Sequence, residues 1–288
     1  MVKIVFTGTG VPVIQRLDDV KACASEAILI GDDILLIDCG RHVSSQLLRS
    51  GIPPYEVNYL FFTHIFHFDH TCDYSNLLFS RSRGGSPLRQ LNVFGPKGTI
   101  EFTDNVIKAY IDRRGSRIRE NVSVRDIDEG FVHGTDNWQV ECVNTTHGPR
   151  FHQLSLAYKI STEGKSVVVS GDITIPSLEA GTMDDAYTLN GKLIELAMDA
   201  DLFIMDACLT HTTPEGLAKA AKKANARKVA ITHLFMPGTQ APERAILHYG
   251  GRKGEIIVQP VYDEFIAQMN KIYDGEVIVA EDLKSITI

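Results

Sequence analysis

Three imidazoles and a carboxylate crowd into seven residues, His64-Ile65-Phe66-His67-Phe68-Asp69-His70, directly behind the apolar run Tyr59–Phe62. So many polar groups cannot enter a core unpartnered, because each one buried without a hydrogen bond costs about 1–3 kcal/mol. Neutral imidazole nitrogens and a carboxylate oxygen are also the ligand set that zinc or iron uses for hydrolytic work. The chain must therefore fold so that one strand end meets further donors from elsewhere.

Candidates occupy matching positions. His147 follows the apolar run Gln139–Val143, Asp172 follows Ser166–Ser170 within a Ser-Gly-Asp turn, and His233 follows Lys228–Thr232. A lone His or Asp at a strand end is usually a satisfied polar residue, and Ser-Gly-Asp alone is a weak signal. Several such placements on one chain favour a convergent site.

Short β-branched runs recur along the chain and predict strands at Val2–Thr7, Ala27–Ile30, Ile34–Ile37, Tyr59–Phe62, Leu91–Phe94, Gln139–Val143, Leu154–Ile160 and Ser166–Ser170. Others are expected at Leu202–Met205, Lys228–Thr232, Glu255–Val258 and Glu276–Val279. Helical spacing predicts Ser44–Arg49, Thr103–Arg113, Pro214–Ala224 and Pro242–Tyr249. Ser80–Pro87 and Ser177–Asn190 read as long loops. Hairpins early and strand–helix alternation late suggest one layered α/β domain with mixed sheets over 1–288. Of the residues 44% are apolar and 23% charged, which are globular proportions. A net charge of −7 argues against a protein that coats nucleic acid. The basic residues at 108–125 read as a solvated face ahead of a phosphate-binding patch. The five cysteines form no CxxC pair and read as reduced thiols. No apolar signal core follows the N-terminus, and no apolar run approaches the ~20 residues of a membrane helix. A soluble, cytoplasmic protein is expected.

The pattern of a strand ending T-H-x-H-x-D-H, then a His, a G-D and a last strand-end His resembles the metallo-β-lactamase superfamily. Val5-Phe6-Thr7-Gly8-Thr9-Gly10 looks like that family's opening strand and glycine loop, and Leu36-Ile37-Asp38-Cys39-Gly40 like its LIDCG segment. Phe94-Gly95-Pro96-Lys97-Gly98 and Asp206-Ala207 with His211-Thr212-Thr213-Pro214-Glu215 resemble motifs of the ribonuclease Z, phosphodiesterase and arylsulfatase-like branch. The resemblance implies an αββα sandwich, two mixed sheets flanked by helices, with metal ions at one sheet edge. It implies that His64, His67 and His147 hold one divalent ion, Asp69, His70 and His233 a second, and that Asp172 bridges them. The ions are zinc by default, with manganese or iron as alternatives. His211 and Asp69 are the implied catalytic residues, His211 as an oxyanion stabiliser or proton donor, and Asp38 is the implied support behind a ligand imidazole. The implied reaction is hydrolysis by a metal-activated hydroxide, of phosphodiesters first. Ribonuclease Z activity on tRNA, hydrolysis of carboxylic esters, lactones or β-lactams, and a non-catalytic binding protein with a degenerate metal site stay open. A small-molecule or phosphodiester substrate is favoured over RNA, no membrane is expected, and the resemblance leaves room for a homodimer.

Two departures matter. One extra residue separates His64 from His67. In an extended chain this turns the two side chains to opposite faces unless the backbone bulges or turns at Ile65-Phe66, sending one of those two side chains into the apolar core. The first ion should then bind more weakly; the competing reading removes His64 from the site and substitutes water or His152. Second, only 24 residues lie between His147 and Asp172. Bacterial-type ribonuclease Z enzymes usually carry a long tRNA-gripping arm there.

Overall fold

The computed structural model describes residues 1–12, 21–83, 89–110, 121–147, 154–175, 191–208, 212–233 and 262–288. Its central strands are apolar on both faces, and a period of two assigns alternate residues to different layers. In β3 (Asp33–Ile37) Leu35 and Ile37 enter one cluster while Ile34 and Leu36 enter another. In β11 (Leu202–Asp206) Leu202 and Ile204 part from Phe203 and Met205 in the same way. Strands of this kind must be covered on both sides.

The first sheet has the order β14-β1-β2-β3-β4-β5-β6. It comprises β1 (Val2–Gly8), β2 (Ser25–Ile30), β3, β4 (Tyr59–Phe61), β5 (Leu91–Gly95), β6 (Val122–Asp126) and β14 (Ser285–Thr287). The second runs β13-β12-β11-β10-β9-β8-β7. Its members are β7 (Gly130–Gly134), β8 (Trp138–Thr146), β9 (Leu154–Thr162), β10 (Lys165–Val169), β11, β12 (Lys228–Thr232) and β13 (Glu276–Val279). Phe6, Ile28, Leu35, Phe61 and Phe94 of the first sheet pack against Val140, Tyr158, Val167 and Ile204 of the second. Helices α1 (Val43–Arg49), α2 (Tyr74–Arg83) and α3 (Thr99–Tyr110) cover the outer face of the first sheet through Leu47, Leu77 and Ile107. A helical segment at 191–196, α4 (Pro214–Lys223) and α5 (Tyr262–Met269) cover the second through Leu193, Leu217 and Phe265. This is the αββα sandwich that the resemblance implied.

Parallel pairing of β3 with β4, and of β10, β11 and β12 with one another, sends several strand ends to one edge. β8 joins them because two antiparallel pairings, through β9, restore its direction. At that edge the Leu156 amide donates to the Thr63 carbonyl at 2.8 Å and links the two sheets.

Some local expectations are corrected. Ser80–Arg83 is the last turn of α2 rather than loop, and Arg81 is buried. Its guanidinium donates to the carbonyls of Pro54, Tyr55, Val57 and Arg89, so it holds backbone together and does not face a substrate. β6, β7 and β14 are not anticipated, because each mixes its few apolar residues with polar, charged or glycine positions and presents no continuous apolar run. The expected strand Glu255–Val258, the helix Pro242–Tyr249 and the loop Ser177–Asn190 lie outside the described residues, as do positions 111–120 of the basic segment.

The C-terminal segment latches onto the glycine loop after β1. Asp282 accepts from the Thr9 amide and hydroxyl at 3.0 and 2.8 Å, from the Ala22 amide at 2.7 Å and from Gln46 Nε2 at 3.0 Å. Removing a carboxylate that satisfies buried donors costs about 1.5–3 kcal/mol. Asp282→Ala should lower unfolding free energy in urea by about that amount, and a change under about 0.5 kcal/mol would show the latch to be idle.

Candidate metal centre

Each candidate donor leaves the end of a strand. His64, His67, Asp69 and His70 follow β4, His147 follows β8, Asp172 follows β10 and His233 follows β12. Two glycines let these segments approach. A Cβ on Gly171, whose φ is +60°, would stand 2.7 Å from the Thr63 Cβ, and one on Gly40 would stand 2.1 Å from the Asp69 carbonyl oxygen.

Seven residues meet in two groups, and a third set, Asp172, Asp206 and His233, shares a member with each. His64, His67, His147 and Asp172 offer ligand atoms all within 4.8 Å of one another, and so do Asp69, His70 and His233. Asp172 lies between them. Its Oδ1 is 3.1 Å from His70 Nε2, and its Oδ2 is 3.7 Å from His147 Nε2. His67 Nδ1 and His147 Nε2 are 3.2 Å apart, as are His233 Nε2 and Asp69 Oδ2.

The extra residue is taken up by a bend at 65–67 with no helical turn. Ile65 packs against the outer core of the first sheet, and His64 remains among the donors. His64 Nδ1 shares a hydrogen bond of 2.9 Å with the Thr63 hydroxyl. Its Nε2 is buried and has no hydrogen-bond partner among the described residues. A buried, orphaned imidazole nitrogen facing other imidazoles and a carboxylate fits a divalent metal ion, which takes the lone pair that nothing else uses.

Asp38 stands behind His70. Its Oδ2 is 2.7 Å from His70 Nδ1 and accepts from the Thr63 hydroxyl at 2.7 Å, while its Oδ1 accepts from the Thr63 amide at 2.8 Å. A carboxylate on the far nitrogen fixes a ligand imidazole's tautomer and ring orientation. Sequence reasoning gave Asp206 no role of its own. It is buried, with Oδ1 3.3 Å from His233 Nδ1, and stands to His233 much as Asp38 does to His70. Its place at the last position of an apolar strand was the available signal. Phe66 was also missed, and its ring lies against His64.

Charge is sorted within the cluster. Burial pushes the His64 imidazolium down, helped by His70, so that ring is neutral. Burial would also lower His70 and His233, but Asp172 with Asp38 and Asp69 raises the first well above the ordinary imidazole range. Asp172, Asp206 and Asp69 do the same for His233. Burial opposes ionisation of Asp172, yet His233 and His70 hold it well below the usual carboxylate range. His211 and His152 lie outside the described residues.

Among known proteins, the model of the family described as Anti-Pycsar protein Apyc1 matches residues 2–233. A ribonuclease Z of Mycolicibacterium gilvum (strain PYR-GCK) is 29% identical over 266 residues, covering 85% of this chain and 90% of that one. The metallo-β-lactamase fold protein YhfI of Bacillus subtilis superposes with a TM-score of 0.71 at 18% identity, covering 99% of this chain and 98% of that one. The short form of human tRNase Z does so with a TM-score of 0.67 at 18% identity, covering 99% of each. The fold is that of the metallo-β-lactamase superfamily.

In the metal-free protein His70 and His233 carry protons, and their ion pairs stabilise the fold below the ordinary imidazole range. That contribution is lost as pH rises through the raised values. A metal ion accepts only the deprotonated ring, so zinc affinity should rise with pH and binding should release protons. Calorimetry in two buffers of different ionisation enthalpy measures the release. A pH-independent affinity would remove these two rings from the ligand set.

Proposed function

The chain belongs to the Anti-Pycsar protein Apyc1 family, and we propose that it hydrolyses phosphodiester bonds at a centre of two divalent ions. It is a metal-dependent hydrolase of the ribonuclease Z and phosphodiesterase branch of the metallo-β-lactamase superfamily. The observation that carries the dinuclear reading is the placement of Asp172, whose two oxygens face different donor groups. His64, His67 and His147 would hold one ion, Asp69, His70 and His233 the other, and Asp172 both. Zinc suits this mixture of imidazole and carboxylate. When bound, such ions supply a hydrolytic nucleophile at neutral pH and stabilise charge developing on the phosphoryl oxygens.

The chain's own residues do the rest. Thr63 and Asp38 hold the His64 and His70 rings through their Nδ1 atoms, and Asp206 faces His233 Nδ1. His64, Asp69, His70, His147, Asp172 and His233 are buried, which strengthens the charge interactions among them. His211, in its protonated form, passes a proton to the leaving-group oxygen or stabilises the oxyanion. A small phosphodiester is the favoured substrate. The relative from M. gilvum is named a ribonuclease, so a linear RNA is the second reading. It is supported less because just 24 residues lie between His147 and Asp172, and the described ones among them include the hairpin of β9 and β10. The chain works as one hydrolase unit, with a homodimer as its proposed assembly.

Metal analysis with a panel of bis-aryl phosphodiesters, phosphomonoesters, sulfate esters, lactones, β-lactams and precursor tRNA tests this reading. Turnover of bis-aryl phosphodiesters with about two ions per chain is the expected result. Turnover of none of them, with under about one tightly bound ion, would make the chain a binding protein. Asp172→Ala should abolish activity and lower metal content, and near-normal turnover with both ions bound would reduce it to a turn residue. His211→Ala should keep the metal and lose ~10²–10⁴ in kcat. Loss of metal in that variant would make His211 a ligand instead.

A further inference from the structure

His64 and His67 are three residues apart, and an extended backbone turns such residues to opposite faces. The bend at 65–67 brings both to the same donor group. Two side chains restrain it from opposite sides. Ile65 packs outward against the first sheet's outer core, its Cδ1 3.4 Å from where a Cβ on Gly98 would stand. Phe66 turns inward and is half-buried. Its ring centroid lies 4.6 Å from that of His64, 4.9 Å from His67 and 5.8 Å from His147.

One ring thus packs against all three imidazoles of a single donor group. The second group has no need of such a ring, since carboxylates of Asp38 and Asp206 orient His70 and His233. In the first group the Thr63 hydroxyl reaches His64 Nδ1 at 2.9 Å, and Phe66 adds a contact shared by all three rings. Tilted aromatic contacts are attractive at centroid separations of about 4.5–7 Å and depend on geometry. Phe66 offers no ligand atom, so its influence on a metal ion must act through the rings it touches.

Resting on the dinuclear reading above, we propose that Phe66 is a positioning residue of the metal centre, an aromatic buttress that fixes the orientations of His64, His67 and His147 and offsets the extra residue between the first two. Removing a group that orients ligands typically costs 10–100-fold in metal affinity.

The test is titration of the metal-free full chain with cobalt(II), followed by visible absorption and calorimetry. It compares the wild type with His64→Ala, Phe66→Ala, Phe66→Leu and Phe66→Tyr. His64→Ala identifies which binding step belongs to the first group. Phe66→Ala should weaken that step about 10-fold or more and shift its cobalt bands. The other step and the melting temperature of the metal-free protein should stay at wild-type values, and Phe66→Tyr should restore the lost affinity. Phe66→Leu retains bulk without an aromatic face, and covers the case in which the alanine variant does not fold; it too should weaken the first step selectively. Wild-type affinities in both Phe66→Ala and Phe66→Leu would overturn the proposal, as would equal weakening of both steps with a lower melting temperature. A wild-type chain that binds no cobalt would sink the metal reading and this proposal with it. Two tight ions with an indifferent Phe66 would sink the proposal alone.

Discussion

The buried carboxylate of Asp38 joins the end of one strand to the end of the next and to the metal centre. It accepts the Thr63 amide and hydroxyl, which fixes the exit of the chain from β4, and it meets His70 Nδ1 with its outer oxygen. The residue takes a φ of 56°, an unusual conformation for a side chain other than glycine. Such a backbone persists only where surrounding contacts over-determine it, and three hydrogen bonds to one side chain do so. Everything between His64 and His70 hangs from that arrangement, because Thr63 in turn shares its hydroxyl with His64 Nδ1.

A second device of the same kind sits on the other sheet. Asp206 accepts from the Cys208 amide at 2.7 Å and the Ile173 amide at 3.2 Å, and it faces His233, whose φ is also 56°. Each sheet therefore contributes one buried carboxylate whose amide bonds anchor it and whose remaining contact orients an imidazole. Carboxylates in such a place would be costly if isolated. Here they are compensated by backbone donors and by rings drawn toward the charged form, and bound cations would offset the remainder.

The two donor groups differ in how they are stiffened. In the second group Asp38 shares a hydrogen bond with His70 Nδ1 and Asp206 faces His233 Nδ1 at 3.3 Å, whereas in the first group Thr63 bonds His64 and Phe66 packs on all three rings. Packing is less directional than a charged hydrogen bond.

Much of the fold was legible in the sequence. Short continuous apolar runs at Leu202–Met205 and Lys228–Thr232 marked those strands almost to the residue, and the donors of the centre stood out because imidazoles and carboxylates recur just beyond such runs. α2 was not legible, since Ser80, Arg81 and Ser82 look like loop until Arg81 finds the carbonyls that bury it. Periodicity tells which face of a strand a side chain occupies; it carries no information about which distant strand lies across from it. The residue types that can bind a metal, and the strand ends that carry them, were thus determined by sequence alone. That Asp172 turns one oxygen to each donor group, that Asp206 backs His233, and that Phe66 rather than Ile65 faces the imidazoles were decided by the meeting of two sheets, because these are distances between segments that lie far apart along the chain.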